Sequence, residues 1–144
     1  MKTITTEIHI IAPCDRVWSI LTDFGSYPAW NPFIREILGR RPEVGSTLTV
    51  AITPPGGKTM RFKPRILKVQ PPRELRWLGQ LFVPGLFDGE HSFTLIAAGQ
   101  GCLFRHSETF SGFLPMVMTS RMFDATERGF RAMNEALKER AEFA

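Results

Sequence analysis

The sequence predicts an α+β domain in which seven antiparallel strands form a sheet and a long C-terminal helix packs against it. Before Pro115, proline and glycine pairs interrupt the chain at intervals of about ten residues, which is typical of a meander of short strands. Beyond Pro115 no further proline occurs, and the apolar residues recur at helical spacing. Because 144 residues suffice for one core but not for two, residues 1–144 are interpreted as a single domain.

The first predicted strand covers residues 3–11, where Ile4, Ile8 and Ile10 share one face. Pro13 suits the first turn of a short helix that follows, since no backbone N–H is needed there. Six further strands are predicted at residues 33–40, 47–53, 60–69, 74–82, 87–96 and 102–111. Pro64 lies inside the fourth strand, and because proline lacks a ladder N–H, we expect an edge position or a bulge there.

The C-terminal helix is predicted to run for about 25 residues, with Pro115 in its first turn. Its apolar stripe consists of Thr119, Met122, Phe123, Thr126, Phe130, Met133, Leu137 and Ala141. Charged residues cluster on the opposite side. A helix of this length needs a broad apolar surface, which the predicted sheet supplies.

The composition limits where the protein is expected to act. The chain contains no apolar run of the roughly 20 residues that a membrane span needs. Residues 1–13 alternate between polar and apolar types and lack the apolar core of a signal peptide. We therefore expect a cytoplasmic protein without stable membrane insertion. In that compartment the widely separated Cys14 and Cys102 are expected to be reduced.

The charge pattern does not favour a nucleic-acid site. The net charge is +4, and Arg61, Lys63 and Arg65 alternate along one predicted strand without aromatic residues interleaved on the same face. We interpret them as a solvated strand face. The three histidines fit no zinc spacing, and no P-loop or dinucleotide-binding motif occurs. No metal, cofactor or nucleic acid is therefore expected.

The hairpin of the last two predicted strands contains the most informative polar residues. Its apolar residues share one face only if the numbers of opposed residues add to an odd value, and a tight turn centred on Gly99-Gln100 makes that value 199. His91 then lies opposite Glu108, and His106 lies opposite Phe93. The side chains of His91, His106 and Glu108 then point into the interior, where ionisable groups are costly unless paired or hydrated. The cluster is either the polar end of a ligand site, a set of catalytic acid/base groups, or a structural cross-strand pair.

Four stretches of the chain, in their order and spacing, resemble the START-like (SRPBCC) superfamily, in particular its polyketide cyclase/dehydrase-type proteins. They are residues 12–24 (APCDRVWSILTDF), 27–33 (YPAWNPF), 69–77 (VQPPRELRW), and 89–93 (GEHSF) with 108–112 (ETFSG) and Pro115. This resemblance covers essentially the whole chain. It implies a helix-grip fold, in which a curved seven-stranded antiparallel sheet wraps around the long C-terminal helix, with a short helical segment after strand one and a cavity between sheet and helix.

The same resemblance implies that inward aromatic residues and the helix stripe contact a ligand in this cavity. The expected contacts are Trp30, Phe33, Phe62, Trp77, His91, Phe93, Phe104, His106, Glu108, Phe110, Met122, Phe123, Thr126 and Phe130. Trp30 and Phe33 are included because the family's helical turn borders the cavity. The alternative is that the aromatic residues fill an ordinary core.

Three functions stay open at the level of the sequence. The first is binding or transport of a small hydrophobic molecule, such as a lipid, an isoprenoid or an aromatic polyketide. The second is a cyclase or dehydratase without metal or nucleotide cofactor, with His91, His106 and Glu108 as candidate acid/base groups. The third is a regulatory module that binds a partner protein. The sequence is equally compatible with a monomer and a homodimer.

Overall fold

Two antiparallel sheets and three α-helices make up the computed structural model, which describes residues 1–39, 41–81, 83 and 85–143, with residues 81, 116 and 117 described by their backbone alone. The helices are α1 (Cys14–Thr22), α2 (Tyr27–Trp30) and α3 (Ser120–Phe143). The strands are β1 (Lys2–Ile10), β2 (Ile34–Leu38), β3 (Thr49–Ile52), β4 (Met60–Phe62), β5 (Arg65–Gln70), β6 (Glu74–Leu81), β7 (Phe87–Ala98) and β8 (Gly101–Ser111). Short 3-10 turns lie at Phe24–Ser26 and Leu114–Val117.

The larger sheet has the strand order β1-β8-β7-β6-β5, and the smaller sheet has the order β2-β3-β4. All neighbouring strands are antiparallel. The predicted α+β class, with an antiparallel sheet and a long C-terminal helix, is confirmed. The predicted number of seven strands in one sheet is wrong, because the described residues form eight strands in two sheets.

Pro64 divides the predicted fourth strand between the two sheets. β4 pairs with β3, whereas β5 pairs with β6. Without an N–H, Pro64 cannot donate to either ladder, but its carbonyl accepts a hydrogen bond from the N–H of Leu48 at 2.9 Å. Pro64 therefore lies between two edge strands, because β4 is the last strand of the smaller sheet and β5 is the last strand of the larger one. The expected edge position is confirmed, and the break between the two sheets was not predicted.

Two predicted strands end at residues outside the described part of the chain. The strand predicted at residues 33–40 is observed as β2, and residue 40 is not among the described residues. The strand predicted at residues 74–82 is observed as β6, and residue 82 is likewise not among them. The other strand ends that sequence periodicity predicts lie within two residues of the observed ones, apart from the strand divided at Pro64.

The long helix begins at Ser120 and not near Pro115 as predicted. Pro115 belongs to the separate 3-10 turn, and the extended backbone of Met118 (φ −75°, ψ 144°) ends that turn. The N–H of Met122 donates to the carbonyl of Thr119 at 3.1 Å and closes the first turn of the helix region. The helix is therefore a few residues shorter at its start than the apolar periodicity predicts.

α3 packs against β1 and β8 through most of its predicted apolar stripe. Phe130, Met133 and Leu137 are fully buried. Gly129 lies on the same side, and a Cβ atom there would collide with the ring of Phe33. Since only glycine allows this approach, α3 comes into direct contact with the segment that precedes β2.

Candidate functional site

A cavity of about 110 Å³ lies between the smaller sheet, strands β6 to β8 of the larger sheet, and the start of α3. Most of its walls are apolar, and the ionisable side chains among its described lining are those of His91 and Glu108. The lining residues are Phe33, Val50, Ile52, Pro54, Met60, Phe62, Pro64, Trp77, Gly79, Phe87, Gly89, His91, Glu108, Phe110, Met118 and Thr126.

The larger sheet supplies the floor of the cavity as two neighbouring cross-strand rows. These rows are Trp77–His91–Glu108 and Gly79–Gly89–Phe110. Because successive side chains of a strand point to opposite faces, residues two apart on β6, β7 and β8 face the cavity together. The alternation that the sequence shows along these strands therefore places a carboxylate and an imidazole beside open space.

Gly79 and Gly89 create that open space. They are paired across β6 and β7, so two adjacent positions of the floor carry no side chain. A Cβ atom at Gly89 would collide with Oε2 of Glu108, which means that the carboxylate lies directly over Gly89. A Cβ atom at Gly79 would meet nothing closer than the carbonyl oxygen of Gly89, at 3.8 Å.

The smaller sheet forms the opposite wall through two cross-strand pairs, Val50–Phe62 and Ile52–Met60. Met60 is 47% exposed although it lines the cavity. The cavity therefore reaches the protein surface beside β4.

A hydrogen-bonded chain of buried side chains runs from the cavity floor into the core, beginning at His91. Nδ1 of His91 lies within salt-bridge distance, 3.4 Å, of Glu108 Oε1, and Nε2 of His91 is hydrogen-bonded to His106 Nε2 at 2.6 Å. On the other side of its ring, His106 Nδ1 lies 3.0 Å from Asn134 Oδ1. The amide of Asn134 donates to Thr6 Oγ1 at 2.8 Å. The two histidines, Asn134 and Thr6 are all buried, and His91 together with Glu108 lines the cavity.

The predicted register of the hairpin is confirmed, since His91 pairs with Glu108 and Phe93 pairs with His106. His106 also stacks on Phe130 of α3, with 3.9 Å between the ring centroids. Burial lowers the pKa of His106 well below its ordinary value, the neighbouring His91 lowers it further, and the hydrogen bond to Asn134 opposes both effects. His106 is therefore neutral near pH 7.

Half of the predicted ligand contacts line the cavity: Phe33, Phe62, Trp77, His91, Glu108, Phe110 and Thr126. Four others, Phe93, Phe104, His106 and Phe130, are fully buried outside its lining. They pack against one another: Phe93 and Phe104 stack at 6.0 Å between centroids, and Phe93 lies 5.0 Å from the ring of His106. These rings support the floor of the cavity without facing it.

Trp30 and Phe123 also lie outside the cavity lining. The ring of Trp30 packs against Tyr27 at 5.1 Å between centroids. The ring of Phe123 packs against Phe110 with 5.4 Å between centroids. Both residues therefore neighbour lining or core residues and lie outside the cavity lining.

Met122 is the predicted contact that lies farthest from its expected place, because its side chain is 49% exposed. The buried stripe of α3 is centred on Phe123, Phe130 and Leu137. Met122 lies in the first turn of α3 and outside the cavity lining, so the cavity does not include this predicted contact.

Sequence reasoning misses nine lining residues of the cavity and two buried residues behind it. The nine are Val50, Ile52, Pro54, Met60, Pro64, Gly79, Phe87, Gly89 and Met118, and the two are Thr6 and Asn134. The glycines and Asn134 leave a signal in the sequence. Glycine inside a strand often marks a place where a ligand or another chain segment comes close. Asn134 interrupts the apolar stripe of α3 beside Met133, and a polar residue at a buried position requires a hydrogen-bonding partner.

The family model for polyketide cyclase/dehydrase and lipid transport proteins matches residues 1–142 of the chain. The chain belongs to this family. The resemblance to polyketide cyclase/dehydrase-type proteins is thereby confirmed. No curated protein matches it in sequence.

Solved structures of other proteins share the fold of this family member. Major latex-like protein 151 from Panax ginseng has a TM-score of 0.79 at 15% identity, with 97% of each chain covered. A START superfamily protein from Mycobacterium smegmatis has a TM-score of 0.76 at 21% identity, with 96% of each chain covered. The di-domain ARO/CYC protein BexL has a TM-score of 0.74 at 14% identity, and the match covers 99% of this chain and 50% of BexL.

Within the described residues, no helix combines the length and the apolar character that a membrane-spanning segment needs. Among the same residues, no group of three His, Cys, Asp or Glu side chains is arranged to hold a metal ion.

Proposed function

We propose that the protein binds a small hydrophobic molecule in the cavity between the sheets and α3. The observation that carries this proposal is an apolar cavity whose floor contains one carboxylate, that of Glu108, beside His91. Small-molecule sites are typically apolar with a few placed polar groups that orient the ligand. The apolar part of the ligand would contact rings such as Phe33 and Trp77, and its polar group would meet Glu108.

The size of the cavity limits the part of the ligand that it encloses. Its volume is about 110 Å³, and an apolar cavity of roughly 150 Å³ accommodates a benzene molecule. The enclosed part of the ligand is therefore one small ring or a short alkyl chain. A larger lipid, isoprenoid or aromatic polyketide would extend through the opening beside Met60.

The family supports the same proposal at a coarser level. Its description names both lipid transport and polyketide cyclase/dehydrase proteins, and both activities require a hydrophobic molecule to be held. The relative BexL is an ARO/CYC protein. Because this family includes carriers and enzymes, the choice between them rests on this chain's own residues.

A cavity-filling variant tests ligand binding without disturbing the fold. In Gly79→Val, the new side chain enters the cavity at a position where a Cβ atom meets no clash. We expect the affinity for 2-naphthol, measured by calorimetry, to fall at least tenfold. Gln80→Val is the matched control, because Gln80 is exposed on the opposite face of the same strand. Equal affinities of the two variants would contradict binding in this cavity.

A second candidate function is enzymatic, and the pairing of His91 with Glu108 at the cavity favours it. His106 lies outside the cavity lining, so direct acid/base contact with a substrate falls to His91 and Glu108. A cyclase or dehydratase must move a proton next to a carbonyl group. We expect such an enzyme to catalyse deuterium exchange into 2-tetralone in D2O, measured by NMR. If the unmodified protein catalyses this exchange no faster than the Glu108→Gln variant does, the result would favour a carrier over an enzyme.

Four interpretations stay predictions from the sequence: a single domain over residues 1–144, a cytoplasmic location, the absence of nucleic-acid binding, and the alternative of a regulatory interaction module. The first experiment on the purified protein is native mass spectrometry followed by solvent extraction. A discrete extra mass of a few hundred daltons would support a bound hydrophobic molecule and reveal its class.

A further inference from the structure

Each hydrogen bond in the chain behind the cavity has an assignable donor and acceptor, and the assignment starts at Thr6. The Thr6 hydroxyl donates its hydrogen to the backbone carbonyl of His106 at 3.3 Å. The oxygen of Thr6 must therefore accept from its other partner, and only the NH2 group of Asn134 can donate to it. The amide of Asn134 is thus oriented with its oxygen toward His106, where it accepts a hydrogen bond from Nδ1.

This orientation determines the tautomers of both histidines. His106 carries its hydrogen on Nδ1, and because the ring is neutral, its Nε2 is a hydrogen-bond acceptor. His91 Nε2 lies 2.6 Å from that acceptor and therefore carries a hydrogen. The remaining ring nitrogen of His91, Nδ1, faces Oε1 of Glu108 at 3.4 Å.

The contact with His91 orients the carboxylate of Glu108. Oε1 faces Nδ1 of His91, and Oε2 faces the cavity floor. A carboxylate oxygen accepts hydrogen bonds and does not donate them. Oε2, which lies over Gly89 on the cavity floor, is therefore a hydrogen-bond acceptor.

We propose that the cavity selects ligands that place a hydroxyl group, such as that of a phenol, an enol or an alcohol, against Oε2 of Glu108. A ligand carboxylate at the same place would bring two acceptors together and is rejected. This inference rests on the proposed ligand-binding function and adds the chemical class of the ligand's polar end.

Three naphthalenes with the same ring system test the selection at pH 7 by calorimetry. We expect 2-naphthol to bind at least tenfold more tightly than 2-methylnaphthalene, which replaces the hydroxyl by a methyl group of similar size. We expect 2-naphthoate to bind more weakly than both. If 2-naphthoate or 2-methylnaphthalene binds as tightly as 2-naphthol, the selection is overturned while the proposed binding function stands. If none of the three binds, the binding function itself fails, and the selection fails with it.

Glu108→Gln reverses the expected preference. The glutamine side chain carries no charge and can donate through its NH2 group, so 2-naphthoate should bind at least tenfold more tightly than to the unmodified protein. The affinity for 2-methylnaphthalene, which makes no hydrogen bond, should change less than twofold and serves as the control for folding. An unchanged affinity for 2-naphthoate would contradict the role of Glu108.

The direction of the chain can be measured independently of any ligand. The protein has three histidines, and His9→Gln removes the exposed one, so that nitrogen-15 NMR of the rings reports His91 and His106 alone. We expect a protonated Nδ1 and a bare Nε2 on His106, and a protonated Nε2 on His91. A protonated Nε2 on His106 would overturn the direction assigned to the chain, whereas the selection for a hydroxyl group is decided by the three naphthalenes.

Discussion

Two rows of the same strands differ in how completely they are packed. The packed row comprises Leu75, Phe93 and His106, and the open row comprises Gly79, Gly89 and Phe110. All three side chains of the packed row are fully buried, whereas two positions of the open row carry no side chain and border the cavity. The row of Trp77, His91 and Glu108 lies between them.

The backbone ladder runs without a register shift through all three rows, so the difference lies in the side chains. Protein interiors are packed about as densely as organic crystals, and voids are rare. A cavity inside such a structure must therefore be specified by residues that leave space. Here the space is left by glycines, and the packed row beside them holds the polar end of the cavity in a defined geometry.

The largest expected difference between the two regions is in how far the truncation of a phenylalanine lowers the free energy of unfolding. Phe104 is fully buried beside the packed row, and Phe104→Ala should lower the free energy of unfolding by about 3–5 kcal/mol, through lost burial and the cavity left behind. Phe62 is partly exposed at the open side, and Phe62→Ala should cost about 1 kcal/mol. Urea denaturation measures both, and equal losses would show that the two regions are packed alike.

A smaller effect is expected from pH, because His106 is buried and neutral in the folded protein. The unfolded chain has an ordinary histidine pKa of about 6.5, and the pKa of His106 in the folded state lies below it. Between these two pKa values the unfolded state binds more protons, so stability falls as the pH falls, by up to about 1.4 kcal/mol per pH unit.

His106→Gln isolates this contribution, since glutamine does not titrate. The free energy of unfolding at pH 7.5 and at pH 5.5 should differ less in His106→Gln than in the unmodified protein. The same pH dependence in both proteins would show that His106 does not titrate in this way.

The smallest expected effect is a difference in the rates at which iodoacetamide modifies two cysteines, with the stability of the protein nearly unaltered. Cys102 is fully buried, and its pKa is raised to about 12 by burial and by its contact with Cys14, whose Sγ lies 2.7 Å away. Both cysteines are free thiols. Since the thiolate is the reactive form, iodoacetamide should modify a cysteine introduced by Gly79→Cys in the cavity at least tenfold faster than Cys102. Peptide-resolved mass spectrometry measures both rates, and equal rates would show that the cavity is closed to small molecules.

The hairpin of β7 and β8 illustrates what can be predicted from sequence. Alternation of apolar and polar residues excludes a slip of one residue, which would turn every apolar side chain away from the core, and the tight turn at Gly99-Gln100 then pairs His91 with Glu108. The division of the strand at Pro64 was harder to predict, because a missing N–H shows where a ladder ends but not which strands pair on either side. The exposed position of Met122 required the exact start of α3, and helix ends are poorly defined by periodicity.

The sequence by itself determined the α+β class, the register of the hairpin and the inward direction of its ionisable residues, because these follow from local periodicity. Only the tertiary structure decided that the two glycines face each other on the floor of the cavity. It also decided that Asn134 and Thr6 complete the chain behind His106. These contacts join residues 28 and 128 positions apart along the sequence, and no local pattern specifies which distant side chains meet.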